Sequence, residues 1–174
     1  CLGGALANTA LKAKGMAIGK SLVEEEVIDK IKSIKFTDTH LHLPVDVKVA
    51  KDKEAADVID IKGVGNVGED EIILYIGPDT QDLFSNVIRK SKTVIWNGPM
   101  GYIENKLFQE GTHRIARELA SASDGVFSIV GGGDTYLTLE ELGIMDKISF
   151  VSTGGGAMLD FLANGTLPGI EALK

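Results

Sequence analysis

The spacing of apolar residues changes near residue 72. Upstream, residues 5–14 (ALANTALKAK) follow helical spacing, and Ser21 followed by Glu24 has the form of a capping box opening the helix EEEVIDKIKSI. VDVKVA at 45–50 alternates like a strand, with Pro44 just ahead of it. The stretch DVIDIKGVGNVGED is interrupted by glycines and predicts loop or short edge structure. Downstream the rhythm is regular. IILYIG (72–77) reads as a strand, followed by a helix entered through Pro78; TVIWNG (93–98) reads as a strand, followed by an amphipathic helix over 108–122 carrying Phe108, Ile115 and Leu119. VFSIVGG (126–132) and KISFVS (147–152) read as two more strands. The helices after them are closed by Gly143 and Gly165.

Strands that are nearly continuous apolar runs, alternating with helices, predict α/β architecture: a Rossmann-like three-layer sandwich with a mostly parallel sheet and helices on both faces. The length suits one domain over residues 1–174. In such a sheet the strand-to-helix turns share one edge, where open α/β folds bind ligands. The turns at 97–101 (NGPMG), 131–134 (GGGD) and 154–156 (GGG) are expected there, and Gly3–Gly4 stands just before the first helix.

Composition sharpens this picture in one respect. Glycine makes up 21 of 174 residues, about 12% against a usual value of about 7%, and it is clustered in short runs that suit backbone turns better than a linker. The net charge of −7 and the lack of a basic stripe argue against nucleic-acid or membrane-surface binding. No apolar run reaches transmembrane length and no secretory signal is present. The lone cysteine, Cys1, excludes an internal disulfide and points to a reducing cytoplasm. The opening CLGG, without an initiator methionine, is expected of a fragment.

A helix N-terminus offers unpaired N–H groups and the positive end of the helix dipole, and glycines ahead of it let an anion approach the backbone. In GGGDT, Asp134 and Thr135 both suit helix capping. A carboxylate at a phosphate turn also suits Mg²⁺, which takes one or two carboxylates plus substrate phosphates. TGGGA at 153–157 fits either a backbone anion site or a tight turn. A Walker A sequence is absent, as is a GxGxxG followed by a suitably placed acid. These features by themselves describe a phosphate- or nucleotide-binding α/β domain.

The segments VIWNGPMGYIE, IVGGGDT and DKISFVSTGGGAMLDFLANGTLPGIEAL, together with LGGALANTALKAKGMAIGKSLVEEE and LPVDVKVA, closely resemble phosphoglycerate kinase. The resemblance covers essentially the whole chain but only the family's C-terminal, nucleotide-binding domain. It implies phosphoryl transfer between ATP and 3-phosphoglycerate, giving ADP and 1,3-bisphosphoglycerate, with Mg²⁺, in glycolysis, in a full-length enzyme expected to be a cytoplasmic monomer. It also implies roles for individual residues. Gly132, Gly133, Asp134 and Thr135 resemble the turn taking the nucleotide phosphates, with Asp134 on the metal. Glu104 resembles the acid that hydrogen-bonds the ribose. Asn97 resembles the side chain near the transferring phosphate, and Gly154, Gly155 and Gly156 the backbone donors that meet that phosphate. Gly3, Gly4 and Leu74 resemble parts of the adenine pocket. Such a site needs no nucleophile from the protein, because the acceptor carboxylate attacks.

The chain departs from the family in several places. Phe150 stands where many members have His, Tyr75 where Asp is common, and the family's lysine-bearing GGAK segment has no counterpart. The N-terminal domain that holds 3-phosphoglycerate in the family is expected to be missing from this chain, and the isolated chain is expected not to catalyse transfer. The competing reading is a stand-alone, non-catalytic nucleotide-binding module. Other candidates have simpler roles: His40 and His42 lack a third metal ligand nearby, His113 and Lys12, Lys14 and Lys20 suit solvated faces, and Trp96 suits a strand core.

Overall fold

A computed structural model describes residues 1–33, 40–53 and 59–174. The chain divides into two compact units, the first formed by residues 1–87 and 99–115, the second by residues 88–98 and 116–174.

The first unit holds helix α1 (Gly4–Ala13), the short helix α2 (Ile28–Lys32) and an antiparallel sheet of β1 (Asp46–Ala50), β2 (Asp60–Gly63) and β3 (Ile72–Ile76) in the order β2-β1-β3. β1 is central and almost wholly buried; β2 is an exposed edge, as the glycine-broken stretch suggested. The strand over 72–76 forms where expected, but its partner is β1, antiparallel, so the parallel sheet begins later in the chain.

The capping box is not formed. Ser21 is buried; its hydroxyl donates to the Ile18 carbonyl and accepts the Ile73 N–H at 2.8 Å. The Glu24 N–H instead donates to Thr9 Oγ1 at 3.1 Å, and the chain enters α2 through a 3₁₀ turn over Glu25–Val27. The local pattern competed with a tertiary use of the same hydroxyl: tying a loop to β3. The last residue of the expected helix, Ile34, lies outside the described residues.

Helix α3 (Pro78–Lys90) is started by a residue distant in sequence. The buried Asp46 carboxylate of β1 accepts the N–H groups of Asp79 at 3.0 Å and Thr80 at 2.7 Å, and the Thr80 hydroxyl at 2.6 Å. Two of the orphan donors of a helix N-terminus are satisfied in this way. Gly77 makes the approach possible, since a Cβ there would lie 2.2 Å from the Asp46 carboxylate. Nearby, Lys48 pairs with Glu110 at 2.7 Å and stands over the ring of Tyr75, 4.9 Å from its centre. The hydrogen bond from Lys48 holds the Glu110 carboxyl below the usual carboxylate range.

The second unit is built on a parallel sheet of β4 (Thr93–Asn97), β5 (Phe127–Gly131) and β6 (Phe150–Ser152), in that order. Helices α4 (Glu110–Ser121) and α5 (Gly133–Glu141) are the crossovers, and α6 (Gly156–Asn164) and α7 (Pro168–Glu171) follow β6. Helices flank this sheet, in keeping with the α/β class expected from the alternation. Trp96, Val130, Leu119 and Leu139 are buried in its core. Gly143 (φ +64°) and Gly165 (φ +70°) end α5 and α6 as predicted. Among the described residues no helix is long and apolar enough to cross a membrane.

Candidate functional site

The turns after β4, β5 and β6 come together at one edge because parallel pairing puts the strand ends in register. Asn97 is the pairing partner of Gly131, and Gly131 of Ser152. Beyond that row the chain turns at Gly98, Gly132 and Gly154–Gly156.

At the β5–α5 turn, Gly132 has φ +96°, a conformation that L side chains rarely adopt. A Cβ there would stand 3.0 Å from Thr135 Oγ1 and 3.4 Å from Asn97 Oδ1, so the Asn97 amide lies directly against this turn. One face of Gly131 is equally crowded: its Cβ would meet Met158 Cε at 2.6 Å. By contrast a Cβ on Gly133 would meet nothing within 4 Å. The first helical bond runs from the Tyr136 N–H to the Gly132 carbonyl at 2.9 Å, which leaves the N–H groups of Gly133, Asp134 and Thr135 outside the helix's own ladder.

The capping expected of Asp134 and Thr135 does not occur. The N-cap is Gly132, with no side-chain cap. Thr135 is fully buried, and its hydroxyl is spent on the Gly131 and Gly132 carbonyls, the latter at 2.8 Å, locking the turn. The Thr135 hydroxyl is therefore not available to a ligand. The Asp134 carboxylate is exposed and, among the described residues, makes no ion pair or hydrogen bond.

The Asn97 side-chain nitrogen is buried with no hydrogen-bond partner among the described residues. Buried amide donors are almost always satisfied, so an orphan at a strand end beside an open helix N-terminus suits a bound acceptor. At the β6–α6 turn, Gly155 (φ +51°) is the N-cap of α6, and a Cβ on Gly155 or Gly156 would meet open space. The Gly154 N–H is taken by Ser152 Oγ at 3.2 Å, leaving Gly155 and Gly156 as the freer donors.

The remaining predicted residues belong to the first unit. Gly3, in extended conformation, is the N-cap of α1, and its Cβ would collide with Met100 Sδ at 2.7 Å. Gly4 has φ +57°, and its Cβ would meet the Pro99 carbonyl at 3.2 Å. Both glycines are thus demanded by close packing. Leu74 is buried with Ala50, Tyr75 and Phe108, and its carbonyl accepts the Tyr102 N–H at 2.7 Å. That bond fixes the segment carrying Glu104, whose side chain is exposed. His40 and His42 lie on no strand, and the His42 carbonyl accepts the Leu2 N–H at 3.0 Å. Lys12 and Lys20 line an open groove of about 520 Å³ with Ile18, Glu25 and Val67, where Lys12 pairs with Glu25.

Comparison with known proteins relates this chain to a family. A sequence model of phosphoglycerate kinase matches residues 1–165. The phosphoglycerate kinase of Francisella philomiragia is 42% identical over 177 residues, covering 99% of this chain and 45% of that protein. That of Maridesulfovibrio salexigens is 44% identical over 180 residues, with coverage of 99% and 44%. Among solved structures, phosphoglycerate kinase from Coxiella burnetii superposes with a TM-score of 0.86 at 39% identity, over 93% of this chain and 42% of that one. The enzyme from Pyrococcus horikoshii OT3 gives 0.81 at 28% identity, over 98% and 44%. The chain spans about half the length of the relatives it matches.

Proposed function

Because this chain belongs to the phosphoglycerate kinase family, we propose that it is the nucleotide-binding portion of a cytoplasmic glycolytic kinase that transfers phosphoryl between ATP and 3-phosphoglycerate. The observation that carries this reading is the row Asn97–Gly131–Ser152, which aligns two open helix N-termini with an unpartnered amide nitrogen. Phosphates of ADP or ATP sit against the N–H groups of Gly133, Asp134 and Thr135 at the Gly132 turn. Asn97 donates to the phosphate nearest transfer, and the Gly155 and Gly156 N–H groups steady it in transit. Glu104 takes the ribose hydroxyls, and Gly3, Gly4 and Leu74 border the adenine.

Mg²⁺ fits the residues present. An exposed carboxylate without a partner beside an anion cradle is the donor set of a cation shared with phosphate oxygens, and Asp134 is that carboxylate. When bound, the ion neutralises phosphate charge; the protein's own part is to position the phosphates and exclude competing geometries.

Calorimetric titration with Mg-ADP tests the reading. The chain is expected to bind, and Asp134→Ala to bind at least about tenfold more weakly; equal affinity in the two proteins would remove Asp134 from the site. With Mg-ATP and 3-phosphoglycerate, the 174-residue chain is expected to show no turnover, since it spans under half of its relatives. Measurable formation of ADP coupled to the acceptor would overturn that expectation.

A further inference from the structure

Within the first unit, the Glu104 side chain is exposed and, among the described residues, makes no hydrogen bond or ion pair. The backbone on either side of it is nevertheless fixed. Upstream, the Gln109 side-chain nitrogen donates to the Ile103 carbonyl at 2.9 Å. Downstream, Asn105 Oδ1 accepts the Leu107 N–H at 3.0 Å and caps a 3₁₀ turn over Lys106–Phe108. That turn seats the buried Phe108 against Tyr75 and Tyr102, each ring centre 6.1 Å away.

These bonds have different consequences. Asn105 and Phe108 build the turn itself, and the bond from the Tyr102 N–H to the Leu74 carbonyl ties the segment to β3. The Gln109 bond instead reaches back to the peptide unit that joins Ile103 to Glu104. A peptide unit is planar, so holding its oxygen orients the whole plane and sets the direction in which the Glu104 side chain leaves the backbone. Gln109 has a rigid base for this task. Its own carbonyl accepts the His113 N–H at 2.9 Å at the start of α4, and its side chain is half-buried.

We propose that Gln109 is a positioning residue for nucleotide recognition, orienting the Ile103–Glu104 peptide so that the Glu104 carboxylate meets the two neighbouring hydroxyls of a ribose. The inference rests on the reading of Glu104 as the ribose acceptor. Two hydroxyls that donate to one carboxylate need both its oxygens aimed at them, which makes the contact sensitive to where the side chain starts. Order that is already present before binding appears as affinity, because its entropic cost is met in folding. Gln109 therefore acts on the sugar end of the nucleotide alone.

Calorimetric titration of the 174-residue chain with Mg-ADP and with Mg-2′,3′-dideoxy-ADP tests the inference. Gln109→Met keeps the length of the side chain and removes the donor. Gln109→Glu keeps its shape and turns an acceptor toward the carbonyl. The parent is expected to prefer ADP by about tenfold or more, and Glu104→Ala to lose that preference. Each Gln109 variant is expected to bind ADP about three- to tenfold more weakly and dideoxy-ADP within about twofold of the parent. A general weakening of the fold lowers both affinities together, and that result overturns the inference. A preference that survives in both Gln109 variants but disappears in Glu104→Ala overturns it too, and leaves the ribose reading standing. Failure of the parent to bind or to prefer ADP, or a preference retained in Glu104→Ala, removes the ribose reading and the inference with it.

Discussion

Single residues at the carboxyl edge of the parallel sheet are constrained by backbone, and Gly132 shows how. Its φ of +96° suits glycine, and a Cβ would press on Thr135 Oγ1, which is already committed to two carbonyls. Strain of this kind costs about 1–3 kcal/mol. Gly132→Ala is therefore expected to lower the unfolding free energy by that amount, read from urea titration, and to weaken Mg-ADP binding as well. Unchanged stability would mean that the turn relaxes freely and that the observed conformation is not required. The sequence pointed to this glycine as a turn residue. It did not reveal that Thr135 braces the turn with its hydroxyl, because Oγ1 finds its carbonyls only after β5 and α5 have formed.

Among the elements, α3 depends on β1. Removal of the Asp46 carboxylate leaves the buried N–H of Thr80 without its acceptor, although the Thr80 hydroxyl keeps the Asp46 backbone carbonyl at 2.8 Å. The loss is about 1–3 kcal/mol. Asp46→Ala should lower stability by that amount, and Asp46→Asn by less because one oxygen remains. Equal stability of Asp46→Ala and the parent in urea would show that water replaces the cap. Nothing in the local sequence of α3 predicts this arrangement; Pro78 announces the helix start, but the cap comes from 33 residues upstream. The reverse error occurs at Ser21, where a good local capping signal lost to a long-range bond with β3.

Across the whole molecule, several carboxylates are tied to lysines. Glu110 is held below its usual range by the hydrogen bond from Lys48, Asp70 by that from Lys51, Glu71 by that from Lys62 and Glu171 by that from Lys174. A carboxyl whose folded pKa is depressed contributes stability that is present above its unfolded pKa, and that contribution is lost as pH falls through the folded value. Stability should thus be level from pH 7 to about 5 and then decline below the ordinary carboxylate range. The decline should be shallower in high salt, because two of the four pairs, Lys51–Asp70 and Lys174–Glu171, are exposed. Denaturant midpoints between pH 7 and 3 check this; a constant midpoint would show that the pairs add nothing to folding.

Much of the second unit could be read from the chain. β4, β5, β6 and their helices appear where apolar runs and glycine punctuation place them, since short-range periodicity and turn chemistry are local properties. The glycine turns were identifiable for the same reason. Strand partnership was not: β3 had the composition of a parallel-sheet strand, yet it pairs antiparallel with β1, because pairing is settled by which backbone edge is free in the folded unit. The same holds for the site. Residue types announced a phosphate turn, but the register that sets Asn97 beside Gly131 and the burial that leaves its nitrogen unpartnered arise only when distant strands meet. Local propensity acts through neighbours in sequence, whereas register and burial act through neighbours in space.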